Sequence, residues 1–122
     1  MKKEYTLKQD GFRAIWQEGT INHDKVIIYM NGAGCGEKVT IEMSKYLVNA
    51  GYSVLCLGFY LWDGLPKEMY NIPVEYVERA ILELKNNGFN RIAIHGISTG
   101  AGYALLCSSL FQEITCTLAI VP

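Results

Sequence analysis

The spacing of hydrophobic and polar positions changes several times along the chain, and each change marks an element. Tyr5-Thr6-Leu7-Lys8 and Phe12-Arg13-Ala14-Ile15-Trp16 are β-prone runs on either side of Asp10-Gly11, a dipeptide that favours a hairpin turn. Residues 25–30 (KVIIYM) are a short apolar run with several β-formers, as in a strand buried on both faces. The glycine-rich stretch Asn31-Gly32-Ala33-Gly34-Cys35-Gly36 then breaks the pattern. Over residues 37–50 the spacing is helical. Val39, Met43, Tyr46, Leu47 and Ala50 share one face, expected to be the buried one, and Gly51 is a natural stop. Residues 53–57 (SVLCL) predict a second buried strand, followed by a long loop containing Gly58, Gly64 and Pro66. Asn71-Ile72-Pro73 predicts the start of another helix, with Asn71 as N-cap and the proline in the first turn. Val74, Val77, Ile81 and Leu84 form its buried stripe, and Gly88 ends it. A third buried strand over 91–95 (RIAIH), a turn over 96–100, a helix over 99–110 and a last strand over 115–121 (TCTLAIV) complete the pattern.

The resulting order is a hairpin followed by β-α-β-α-β-α-β. Strands alternating with helices predict an α/β fold, a mostly parallel sheet with helices on both faces. The pattern contains no internal repeat, low-complexity tract or linker, so residues 1–122 read as one unit. The last strand is apolar throughout, which suits a strand with a neighbour on each side. As the last strand of the sheet it would present an exposed edge, through which copies are expected to self-associate.

Composition narrows the function classes. Half of the 122 residues are hydrophobic and 19% are charged, the balance of a well-buried globular chain. With a formal net charge of −1 and scattered basic residues, neither a nucleic-acid surface nor a polybasic membrane patch is expected. Met1-Lys2-Lys3 is not followed by an apolar stretch, and no run approaches the roughly 18 apolar residues of a membrane span. A cytoplasmic location is the expectation. The four cysteines, Cys35, Cys56, Cys107 and Cys116, form no CxxC pair, and three lie inside apolar runs. They read as reduced, buried residues, and neither a metal nor a cofactor is expected.

Gly96-Ile97-Ser98-Thr99-Gly100 matches G-x-S-x-G. The bare pattern is weak. Placed directly after a buried strand and at the opening of a helix, it has the setting of a nucleophile elbow. The turn from strand to helix must be sharp, which strains Ser98. Gly96, Gly100 and Gly102 are expected to leave space that side chains would fill. Ser98 Oγ is then presented at the N-terminus of a helix, where free N–H groups favour developing negative charge. The competing readings are a glycine-rich turn that only packs and a loop that binds phosphate.

A serine nucleophile of this kind needs an oxyanion hole and a general base. Thr99 N–H supplies one donor. The loop after the KVIIYM strand is placed to supply a second, from Ala33 or Gly34, with Ala33 slightly ahead. Cys35 in that loop reads as a packing residue. Neither histidine fits the base. His23 precedes the KVIIYM strand and so falls at the opposite edge of the sheet. His95 lies three residues before Ser98 within the incoming strand and reads as a buried, hydrogen-bonded residue. Asp63 precedes Ser98 and reads as a loop residue. The acid and histidine are expected beyond Pro122.

The stretch Leu65-Pro66-Lys67-Glu68-Met69-Tyr70-Asn71-Ile72 with Glu75-Tyr76, together with residues 94–100 and 117–121, resembles the catalytic C-terminal domain shared by acyl-CoA thioesterases and bile-acid-CoA:amino-acid N-acyltransferases. The similarity runs from about Lys25 to Val121. It implies an α/β-hydrolase fold related to dienelactone hydrolases, here its N-terminal portion, ending after the strand that follows the nucleophile helix. It also implies a small-molecule acyl ester or thioester substrate and an acyl-enzyme on Ser98. The amino-acid-conjugating members carry cysteine at that position, so serine points to hydrolysis. The family's eukaryotic members have a β-sandwich domain before this one, for which the 24 residues ahead of Lys25 leave no room. Its aspartate and histidine have no counterpart here. Two expectations follow: a serine hydrolase seen as a fragment, or a catalytically silent hydrolase fold acting as a binding module. Completion by a second chain is a third.

Overall fold

The strands of the sheet's centre form where the sequence is apolar at consecutive positions, because such strands are stable only between two layers of helix. The computed structural model describes residues 1–21 and 24–121. Its elements are β1 (Glu4–Tyr5), α1 (Leu7–Asp10), β2 (Arg13–Gln17), β3 (Lys25–Met30), α2 (Glu37–Asn49), β4 (Ser53–Gly58), α3 (Glu75–Asn86), β5 (Arg91–Ile97), α4 (Thr99–Leu110) and β6 (Ile114–Ile120). The strands form one sheet in the order β1-β2-β4-β3-β5-β6. β3 lies parallel to β4 and β5, and β5 parallel to β6, while β2 runs antiparallel to β4 and to β1.

The first crossover leads from β3 to one side and the next two lead to the other. Right-handed crossovers therefore place α2 on one face and α3 and α4 on the opposite face. Tyr29, Cys56 and His95 are in register across β3, β4 and β5 and lie on the α2 side, where Cys56 meets Ser44 and His95 meets Tyr46. The other face carries the larger aliphatic core, with Ile28, Leu55, Ile92 and Ile94 fully buried. Arg13, 6% exposed, pairs with Glu4 and with Glu37, tying β1, β2 and the first turn of α2 together.

Several details differ from the sequence expectation. The β1–β2 pair is antiparallel, but its connection is a helical turn instead of a two-residue hairpin. Thr6 caps α1 by accepting the Gln9 N–H, and Gly11 (φ 79°) ends it, so Asp10-Gly11 is a helix stop. On α2 the residues packed inward are Thr40 and Ser44, whereas Val39, Met43, Tyr46 and Ala50 are exposed. The small hydroxyl residues let the helix approach β4 closely. They can be buried because Thr40 donates to Gly36 O and Ser44 to Ile41 O. Asn71 is not an N-cap: it sits at φ 51° in the loop, and α3 starts after Val74 without a side-chain cap. The buried stripe of α3 is Val77, Ala80, Ile81 and Leu84 with Tyr76, so Val74 is the one expected member that is only half-buried. Among the described residues β6 pairs on one side only. Its outward face explains why Cys116 is exposed while Cys56 and Cys107 are buried. No helix among the described residues is long and apolar enough to cross a membrane.

Candidate active site

The strand order reverses at β3. The chain leaves β3 toward β4 and leaves β5 toward β6, although β3 and β5 are neighbours. Loops leaving two adjacent strands in opposite directions open a crevice at their carboxyl ends, where open α/β sheets bind ligands. Ser98 follows β5 there and the loop 31–36 follows β3, so the topology brings together the two motifs that the sequence places 60-odd residues apart.

Ser98 is exposed and has φ 55°, ψ −118°, a conformation that a residue with a Cβ holds only when its surroundings enforce it. The enforcement is visible. Ser98 N–H donates to Ile120 O at 2.9 Å, and Ser98 O accepts the Ala101 N–H at 2.9 Å. A Cβ on Gly96 would lie 2.2 Å from Gly100 O, and one on Gly100 would lie 2.4 Å from Asn31 O. β5, α4 and the end of β3 can approach this closely only with hydrogen at both positions. Gly102 differs from expectation, because a Cβ there would meet nothing within 4 Å. It faces solvent on α4 and holds no space open for the turn.

The loop after β3 packs directly on the turn. A Cβ on Gly32 would lie 3.1 Å from Ser98 Cβ and 3.7 Å from Ser98 Oγ. Gly32 N–H donates to Asn31 Oδ1 at 2.8 Å, Gly34 N–H to the Tyr60 hydroxyl at 2.5 Å and Cys35 N–H to Gly32 O at 3.3 Å. Ala33 N–H and Thr99 N–H donate to no acceptor among the described residues, and both residues are exposed. Ala33 and Thr99, each next in sequence to one of the packed residues Gly32 and Ser98, thus carry free donors. Tyr60 and Asn31 carry no local sequence signal for their part in this arrangement; only their contacts with the loop reveal it.

His95 is buried, with its ring stacked on Tyr29 at 4.6 Å and Nε2 3.2 Å from the Tyr46 hydroxyl. Its Nδ1 is buried with no partner among the described residues. Burial lowers its pKa from the ordinary 6.5, so the ring is neutral at pH 7. It faces α2 and is committed there. His23 lies outside the described residues. Asp63 is an exposed loop residue, and Cys35 is half-buried. Two concavities lie away from Ser98. One of about 540 Å³ lies among Met1, Trp16, Glu18 and Ile41, and an apolar groove of about 390 Å³ is lined by Ile27, Leu47, Ala93, His95 and Leu118.

No family model matches the chain. It is 30% identical over 90 residues to acyl-coenzyme A thioesterase 1 of Mus musculus, an alignment covering 71% of this chain and 22% of that protein. The chain thus spans about a fifth of the length of the curated relatives it matches. Among solved structures, an esterase of Pyrococcus furiosus matches all of this chain and 54% of its own, with a TM-score of 0.71 and 21% identity. An α/β-hydrolase from Penicillium sp. matches 93% of this chain and 43% of its own, with a TM-score of 0.70 and 17% identity. At these identities the two structural matches speak for the fold.

Proposed function

We propose that this chain, a member of the α/β-hydrolase superfamily, belongs to a hydrolase that cleaves acyl thioesters or esters through an acyl-enzyme on Ser98. The observation that carries the reading is the strained, exposed Ser98 between β5 and α4, with the β3 loop packed against it. Ser98 Oγ attacks the substrate carbonyl carbon, and its proton passes to a general base. The carbonyl oxygen becomes an oxyanion held by the N–H groups of Thr99 and Ala33. Collapse of this intermediate expels the thiolate or alkoxide, which takes the proton from the base. Water then attacks the acyl-enzyme, releasing the carboxylic acid and restoring the serine. Each backbone donor aimed at an oxyanion contributes about 10²–10³ in rate.

Among the described residues His95 is engaged by Tyr46 and Tyr29, and the general base is not assigned to it. The sequence kinship with thioesterases favours acyl-CoA as substrate class, and the serine favours water as acceptor. The test is hydrolysis of acyl-CoA and p-nitrophenyl esters by the intact protein and its Ser98→Ala variant. Loss of kcat by about 10⁴-fold or more supports the reading; retained hydrolysis in the variant sinks it.

One observation favours a second reading. Ser98 Oγ has no hydrogen-bond partner among the described residues, as expected of a silent fold that serves as a binding module. In that case the open side of β6, with Leu118 and Ile120 exposed, is the surface for self-association. Failure of a fluorophosphonate to label Ser98 in the intact protein would favour this reading over hydrolysis.

A further inference from the structure

Resting on the hydrolase reading above, we propose that Tyr60 is a positioning residue of the oxyanion loop. By accepting the Gly34 N–H, its hydroxyl holds the 33–34 peptide in one orientation and leaves Ala33 N–H as the loop's donor to the oxyanion.

The argument starts from the turn. Cys35 N–H donates to Gly32 O, which closes a four-residue turn over 32–35. Gly34 occupies its third position with φ 76°, the value of a type II turn. Types I and II differ by a flip of the central peptide, here the one joining Ala33 to Gly34. The N–H of that peptide belongs to Gly34, and its acceptor is the Tyr60 hydroxyl. A flip would break this bond and turn the Ala33 carbonyl toward the phenol. Tyr60 therefore selects the type II form. Of the N–H groups on Gly32, Ala33, Gly34 and Cys35, Asn31 takes the first, Tyr60 the third and Gly32 O the last. Only Ala33 keeps a free donor, and its neighbour Gly32 is the residue packed on Ser98.

Tyr60 is itself fixed. It is 7% exposed and packs on Phe59 at 5.5 Å between ring centroids. Phe59 packs in turn on Tyr103 of α4 at 5.3 Å, and the Tyr103 hydroxyl donates to Pro73 O ahead of α3. The 59–74 loop is thus clamped to the helix that follows Ser98, and the phenol reaches the β3 loop from a rigid base. A backbone donor that aims at a developing charge is effective only when its direction is set beforehand. By occupying the Gly34 N–H beforehand, the phenol leaves the preceding peptide's donor, Ala33 N–H, to serve the charge, without touching substrate.

The test uses the intact protein and its Tyr60→Phe and Ser98→Ala variants. Tyr60→Phe keeps the ring and removes only the acceptor. It should lower kcat by about tenfold, with KM within about twofold and the unfolding midpoint little changed, since a loss confined to the transition state appears in kcat. A purely structural role would move the midpoint and leave kcat alone. A measurement on the unsubstituted protein does not depend on the variant folding. In amide NMR, Gly34 should exchange slowly. On phosphonylation of Ser98, the Ala33 and Thr99 amide protons should move downfield while Gly34 stays. Wild-type kcat in Tyr60→Phe, or a moving Gly34 amide beside a static Ala33, overturns the role of Tyr60. Retained hydrolysis in Ser98→Ala overturns instead the serine reading beneath it.

Discussion

Replacing each of two glycines on α4 by alanine should have opposite effects, although they are two residues apart. A Cβ on Gly100 would lie 2.4 Å from Asn31 O and 3.1 Å from Asn31 C. Carbon and oxygen in contact prefer roughly 3.5 Å, so the overlap is about 1 Å. Both sides of the contact are backbone. α4 is tied to the turn by Ser98 O, and Met30 and Asn31 continue a strand paired with two neighbours. Neither can yield without breaking hydrogen bonds, so Gly100→Ala should cost about 2–3 kcal/mol, the upper part of the overpacking range. Gly102→Ala places a methyl in open space on an exposed helix position, where alanine is favoured over glycine by about 1 kcal/mol. With a urea m-value of about 1.5 kcal/mol/M, the midpoint should fall by roughly 1.5 M for Gly100→Ala and rise by about 0.7 M for Gly102→Ala. Fluorophosphonate labelling of Ser98 in the intact protein should be slowed in the first variant and unaffected in the second. A Gly100→Ala variant as stable as the parent would refute the reasoning, because it would mean that α4 does not contact the end of β3.

Beyond the Ser98→Ala and Tyr60→Phe outcomes given above, the thiols and the buried histidine each make a prediction. Iodoacetamide should modify exposed Cys116 and half-buried Cys35 in the native protein, leaving Cys56 and Cys107 to react only on unfolding. Burial pushes the thiols of the latter two up to about 11 and about 12. Mass spectrometry that finds native labelling at Cys107 would contradict this packing. His95 is held neutral by burial, so its folded pKa lies below the ordinary 6.5. Below pH 6.5 the unfolded chain takes up a proton that the folded chain refuses. Its contribution to stability is therefore complete above that pH and is lost as pH falls toward the folded pKa. The urea midpoint should drop across this window in the parent and drop less in His95→Phe; parallel curves would rule out His95 as the source.

The local features were legible because local chemistry produces them. The short apolar runs in 25–30, 53–57 and 91–95, rich in β-formers, suit central strands of a covered sheet, and all three form. The start of the helix over Thr99–Leu110 was readable, since a strand precedes it and the sharp turn needs Gly96 and Gly100. Ser98 stood out for the same reason. Expectations failed where two local solutions compete. Asp10-Gly11 can close a hairpin or stop a helical turn, and Thr6 tips the balance by capping the latter. The apolar stripe of α2 predicted burial for Val39, Met43 and Tyr46, but a helix lying close to β4 buries the narrow side chains of Thr40 and Ser44 instead.

By itself, the sequence determined the central strands and the helices between them, the mostly parallel character of the sheet, and the strained serine between β5 and α4. Each depends on interactions among residues within a few positions of one another, or on burial, which periodicity reports directly. Only the tertiary structure decided the order β1-β2-β4-β3-β5-β6, and with it the crevice in which the β3 loop meets Ser98. It alone shows that the Gly34 N–H is engaged, by the hydroxyl of Tyr60, 26 residues away. Hydrogen bonds between distant segments leave no periodic mark on the chain. They exist because the sheet brings their partners together, and no local preference of either residue encodes them.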